Sequence, residues 1–193
     1  MDFTNDWFGA TGRYIWEKIL PQLGPKRILE VGSYEGRSTC FLIETLPGPL
    51  EIHCIDTWKG SKEHVGTDMD AVRKRFESNI KIASQGKNVQ VTDYVERSDL
   101  ALAKMQDKFA KHFDFIYIDG SHKATDVLCD AVLAFRLLRS GGVMCFDDYL
   151  WRDFGPYDPL NSPKVAIDTF TLIYSKQLHV MALPPTQLFI EKL

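Results

Sequence analysis

Three carboxylates stand where two apolar runs stop. FDFIYI (Phe113–Ile118) is followed by Asp119, and VMCF (Val143–Phe146), opened by Gly141-Gly142, is followed by Asp147-Asp148. Apolar runs this short, bounded by turn residues, read as buried strands. Adjacent carboxylates repel, so a proton, a cation or a hydrogen-bond donor has to neutralise them. If the two strands are neighbours they lie about 4.8 Å apart, and Asp119 converges with Asp147 while Asp148 stands beside them. Three hard oxygen donors around one point suit Mg²⁺ or another hard divalent cation, with positions left for water or substrate. The competing reading is that an aspartate caps a following helix. The Pro- and Gly-rich YLWRDFGPYDPLNSP after Asp148 weakens it there, whereas Ser121 and a nearby helix keep it open for Asp119.

A second group follows RILEV (Arg27–Val31): Gly32-Ser33-Tyr34-Glu35-Gly36-Arg37-Ser38. Two glycines four apart let backbone approach a ligand, and a helix starting near Gly36 offers N–H groups to an anion. A dinucleotide pyrophosphate calls for GxGxxG. GxxxG fits a carboxylate or one small anion better, and it also fits an ordinary strand-to-helix turn. Asp56, after EIHCI, is the residue type that grips ribose hydroxyls and equally a turn aspartate. Trp58 lies against a purine or covers core.

The elements that would position these residues alternate. Strand runs at 27–31, 51–55, 88–95, 113–118 and 143–146 are separated by helix-period segments at about 36–46, 67–84, 99–109 and 122–138. Gly141-Gly142 is expected to stop the last of these helices. A helix over 163–174 follows, then QLHVMAL and TQLFIEK, joined through Pro184-Pro185 closely enough only for an antiparallel pair. The fold expected is α/β: a Rossmann-like, doubly wound, mostly parallel seven-stranded sheet with a C-terminal antiparallel hairpin and helices on both faces. Ligands then bind beyond the carboxyl ends of the strands, where strand order reverses.

The chain of 193 residues, 45% apolar and 25% charged, suits a single domain over 1–193 with a sizeable core. A net charge of −3 argues against nucleic acid or an anionic membrane as partner. No apolar stretch approaches the roughly 20 residues that span a bilayer, and MDFTNDWFGATGRYIW lacks the basic and apolar regions of a signal peptide, so a cytoplasmic location is expected. Cys40, Cys54, Cys129 and Cys145 lie in apolar runs without CxxC spacing and read as buried reduced thiols.

ILEVGSYEGRS resembles motif I of class I S-adenosylmethionine (SAM)-dependent methyltransferases, above all the loop of catechol O-methyltransferase-like enzymes. FDFIYIDGSH and LLRSGGVMCFDDY resemble a bacterial group related to macrolide-sugar and aminocoumarin-sugar O-methyltransferases. The resemblance covers Arg27 to about Tyr149. It implies that Glu30, Gly32 and Gly36 shape a SAM pocket, with Ser33, Tyr34 and Ser38 near the methionine carboxylate. Asp56 would hold the ribose hydroxyls, and Ser98 or Asp99 would lie near adenine. It further implies that Asp119, Asp147 and Asp148 hold a divalent metal, Mg²⁺ by chemistry, and that His122 is the substrate-side base with Asp119 beside it. The acceptor would be a small-molecule hydroxyl: a sugar, a diol or another metabolite. The short aromatic segment over 1–25 is expected to form a helix that caps the site or makes a homodimer contact, with plain packing of Trp7, Phe8, Tyr14 and Trp16 as the alternative, and residues 148–162 a lid or acceptor wall. Two rivals stand against the enzyme reading: a non-catalytic SAM- or sugar-binding module or partner subunit, and an NAD-dependent oxidoreductase. The missing GxGxxG and the closing hairpin count against the oxidoreductase.

Overall fold

Residues 1–152 and 158–193 are described by a computed structural model. The strands are β1 (Arg27–Val31), β2 (Leu50–Asp56), β3 (Val89–Val95), β4 (Phe113–Ile118), β5 (Leu138–Phe146), β6 (Leu178–Val180) and β7 (Leu188–Lys192). The helices are α1 (Trp7–Thr11), α2 (Arg13–Leu23), α3 (Arg37–Thr45), α4 (Met69–Ala83), α5 (Ser98–Phe109), α6 (Ala124–Leu137) and α7 (Pro163–Ile173).

The strands form one seven-stranded sheet in the order β3-β2-β1-β4-β5-β7-β6. The first five are parallel, and β7 runs antiparallel to both β5 and β6. The order reverses between β1 and β4, which opens a crevice at their carboxyl ends. Strand side chains alternate between the two faces. Leu29, Ile116, Ile118, Met144 and Phe146 pack with α5, α6 and α7 in one core. Ile28, Phe115, Tyr117 and Cys145 pack with α2, α3 and α4 in the other. Both faces are covered, as the continuous apolar runs require.

Two expectations are corrected. The glycines at 141–142 do not stop α6. The helix ends at Leu137, Leu138 turns extended (φ −73°, ψ 132°), and β5 runs through both glycines. Asp114 explains the early entry into the sheet. Its carboxylate binds Arg27 of β1 at 2.8 Å and Arg139 of β5 at 2.6 Å, and also accepts the backbone N–H of Lys26 and Arg27. The β4–β5 register shifts between Phe113 and Phe115 to accommodate this, with Gly141 at φ +69°. The N-terminal aromatic segment is two helices meeting at Gly12, where a Cβ would stand 2.5 Å from Gln187 Nε2. Phe8 and Trp16 turn inward while Trp7 and Tyr14 are exposed.

Cys40, Cys54 and Cys145 are buried as expected, whereas Cys129 is exposed on α6. Of the expected lid, residues 153–157 lie outside the described residues. Its first part is tied down: the Tyr149 hydroxyl donates to Asp168 at 2.7 Å, and Lys164 reaches both Tyr149 and Asp168. Among the described residues no helix is long and apolar enough to cross a membrane.

Candidate active site

The sheet register lines up the acids. Ile118 pairs with Phe146, and Phe146 with Leu188. One step further along each strand, Asp119, Asp147 and Gln187 therefore stand in a row across β4, β5 and β7. Val31 pairs with Ile118 and with Ile55, so the row continues through Gly32 to Asp56. Backbone bonds fasten its middle: Asp119 N–H donates to Val31 at 2.7 Å and Asp147 N–H to Ile118 at 2.9 Å.

Asp119, Asp147 and Asp148 bring carboxylate oxygens within 4.8 Å of one another. Asp148, which follows the row, turns back by adopting a left-handed conformation at φ +55°. Burial pushes the Asp119 carboxyl well above the usual carboxylate range, and the charges of Asp147 and Asp148 add to it. Burial, with Asp148 beside it, pushes Asp147 up to about 6. The Gln187 amide opposes that rise by favouring the charged form. Three crowded oxygen donors fit a hard divalent cation, which would cancel the repulsion that adds to burial in raising Asp119 and Asp147.

His122 Nε2 lies 2.8 Å from Asp148 Oδ2, and its ring packs on Trp151 with centroids 4.2 Å apart. A small cleft lined by Gly120, Ser121, His122 and the three aspartates opens there.

The glycine loop closes on the same point. Gly32 has φ +87°, and a Cβ on it would sit 2.0 Å from the carbonyl oxygen of Asp119. Only glycine lets the β1 loop press against the β4 loop this closely. Gly36, at φ +78°, begins α3 and lies against Phe76. Glu30 is fully buried beneath the loop, where it accepts from the Ser33, Ser38 and Thr39 hydroxyls. Burial raises its carboxyl above the usual value despite those bonds. Glu30, Ser33 and Ser38 are thus an internal brace for the loop, with their polar atoms turned inward. Tyr34 (φ +48°) faces Trp7 and His64 at ring distances of 5.2 Å each.

Asp56 is part of the loop's frame. Its carboxylate accepts the backbone N–H of Ser33 (3.0 Å), Tyr34 (2.9 Å) and Trp58 (2.7 Å). Trp58 is enclosed against Phe76, with its indole N–H on the Tyr34 carbonyl, so its ring covers core and not an open purine site. Ser98 and Asp99 open α5 at the same sheet edge; Ser98 bonds to the buried Asp130, and Asp99 pairs with Arg97 at 2.8 Å.

Sequence reasoning missed Tyr117 and Gln187, and it placed Trp16 in the N-terminal aromatic segment without naming its partner. Tyr117 is wholly buried, and its hydroxyl lies 3.0 Å from Asp119 Oδ2 and in hydrogen-bond contact with Asp147 Oδ2. The Trp16 indole N–H donates to Gln187 Oε1 at 2.9 Å. The only available signal was the two-residue step from Tyr117 to Asp119, which puts both on one face of a strand.

A seven-stranded sheet with a reversed seventh strand, a glycine loop after β1 and acids after β2, β4 and β5 define a class I methyltransferase architecture. The chain belongs to the family described as a methyltransferase domain, which matches residues 29–149. An O-methyltransferase from Bacillus cereus, solved in complex with SAH, shares the fold (TM-score 0.65, 21% identity, 92% of this chain and 79% of that one). So does TomG, the O-methyltransferase from Streptomyces achromogenes involved in tomaymycin synthesis, solved with SAM (TM-score 0.65, 18% identity, 92% and 78%). A protein of Acanthamoeba polyphaga mimivirus, named uncharacterized protein R132, is 26% identical over 127 residues, 63% of this chain. The chain spans about half the length of that curated relative.

Proposed function

We propose that this methyltransferase transfers the methyl group of SAM to a hydroxyl of a small molecule with the help of a divalent metal. One observation carries the reading: the glycine loop and the acid cluster are a single place, joined where Gly32 meets the Asp119 carbonyl. A methyl donor held by the loop and a hydroxyl held at the acids would therefore be neighbours.

The loop 32–36 and the start of α3 would hold the cofactor, whose chemistry is an already activated sulfonium methyl. Asp119, Asp147 and Asp148 would hold the metal, which would supply Lewis-acid polarisation of the acceptor oxygen. Asp119 and Asp147 fix the acceptor's direction because each is anchored by its own strand-end backbone bond. Such positioning contributes roughly 7–11 kcal/mol in favourable cases. His122, which lies at the cleft beside Asp148, would take the hydroxyl proton. The O-methyltransferase neighbours and the acid cluster support this reading over N- or C-methylation.

The test is methyl transfer from labelled SAM to a panel of sugars, diols and phenols, with Mg²⁺ and with excess EDTA, alongside thermal melts with SAH or NAD. The expected result is a melting shift with SAH alone and turnover that EDTA abolishes. Full turnover in EDTA would overturn the metal, and a shift with NAD but not SAH would overturn the cofactor.

A further inference from the structure

Tyr117 stands one pleat below Asp119 on the same face of β4, so its ring rises between the two strand-end acids. Packing alone asks for no hydroxyl here. The same face of β4 also carries Phe115, an aromatic ring without a hydroxyl that is fully buried. A buried hydroxyl is costly unless bonded, and this one is spent on Asp119 Oδ2 and Asp147 Oδ2 together. Asp147 is then gripped at both oxygens, since its Oδ1 accepts the Asp148 backbone N–H at 2.9 Å.

The tyrosine is itself braced. Trp16 meets its ring edge-on at 4.8 Å and donates its indole N–H to Gln187 Oε1. That bond fixes which way the Gln187 amide faces. Its Nε2, on a residue only 1% exposed, packs beside Gly12 and favours the charged form of Asp147. Gln187 ends the row that contains Asp147.

We propose that Tyr117, braced through Trp16 and Gln187, is the positioning residue of the acid cluster. It sets the rotation of the Asp119 and Asp147 carboxylates so that the lone pairs left on their oxygens converge with Asp148 on a divalent cation. This rests on the metal-assisted reading above.

The test uses the full chain, Mn²⁺ as probe, and electron paramagnetic resonance to measure its binding in the presence of SAH. SAH affinity and melting temperature are measured on the same samples. Tyr117→Phe keeps the ring and removes the hydroxyl; Gln187→Met keeps the volume and removes the amide. Partners that orient metal ligands are worth about 10–100-fold in metal affinity. Tyr117→Phe is expected to weaken Mn²⁺ at least tenfold and Gln187→Met by less, with SAH affinity within twofold of wild type. Mn²⁺ affinity within twofold of wild type for Tyr117→Phe overturns the positioning role and leaves the metal site standing. Parallel loss of Mn²⁺ affinity, SAH affinity and melting temperature in both variants overturns it too, in favour of a general packing role. Wild-type protein that does not bind Mn²⁺ overturns the metal-assisted reading itself.

Discussion

His122 Nε2 stands 2.8 Å from Asp148 Oδ2, so the candidate base and a candidate metal ligand share one contact. His122→Ala should lower kcat about 100-fold or more, the ordinary worth of a positioned general base. SAH affinity should not change. Rates across pH 5–9 check the role: the variant should lose the acid limb that wild type shows. A variant profile that keeps this limb removes His122 from proton transfer.

Gly32 predicts a steric failure. Gly32→Ala places a methyl group 2.0 Å from the Asp119 carbonyl at a φ of +87°. The cost should reach about 3 kcal/mol, as overpacking and a disfavoured φ combine. Urea unfolding would show it, and SAH binding should weaken in step because the loop is displaced. A neutral substitution would mean that the two loops do not press together.

Asp114 predicts acid sensitivity. Burial alone would raise its carboxyl, but hydrogen bonds from Arg27 and Arg139 and two backbone N–H groups hold it well below the usual range. A depressed native value means stability that is present above about pH 4 and lost as pH falls through the native value. Asp114→Ala should cost about 2 kcal/mol at pH 7, discounted because both arginines are partly exposed. The loss should shrink at pH 2–3, as acid titration of the melting temperature would show.

Asp130 predicts the opposite slope. It is 1% exposed on α6, one of its oxygens has no hydrogen-bond partner among the described residues, and burial pushes it up to about 7. Between about pH 4 and 7 the native state keeps a proton that the unfolded chain has released, so this group's contribution falls as pH rises through that window. Asp130→Asn, which can keep the Ser98 bond, should therefore gain stability relative to wild type at pH 8 and little at pH 5. Urea midpoints at both values decide it; an equal difference at both would show that Asp130 does not titrate there.

The alternation of strands and helices was legible because both sides of a parallel sheet are apolar, so each strand stands out as an unbroken run. The acids were legible because charges at the ends of such runs have nowhere to hide. The end of α6 was not, because Gly141-Gly142 looks like a helix stop while the deciding ion pair joins Asp114 to Arg139. Trp58 was ambiguous because an indole serves a purine or a core equally well until its neighbours are known. Tyr117 and Gln187 were invisible for a related reason. A tyrosine inside FDFIYI looks like filler, and its meaning depends on the register of β4, β5 and β7, which local pattern does not encode.

The bond from Trp16 to Gln187 spans 171 residues of chain, and that separation orders events in time. As a nascent chain emerges from the N-terminus onward, β1 to β5 are all made, and can pair, before β7 exists. The brace behind the acid pair waits for β7 to slot in beside β5. Contacts between such distant parts close late, because the loop entropy has to be met before they give anything back. A half-made chain can thus possess its glycine loop and all three aspartates and still lack a finished site.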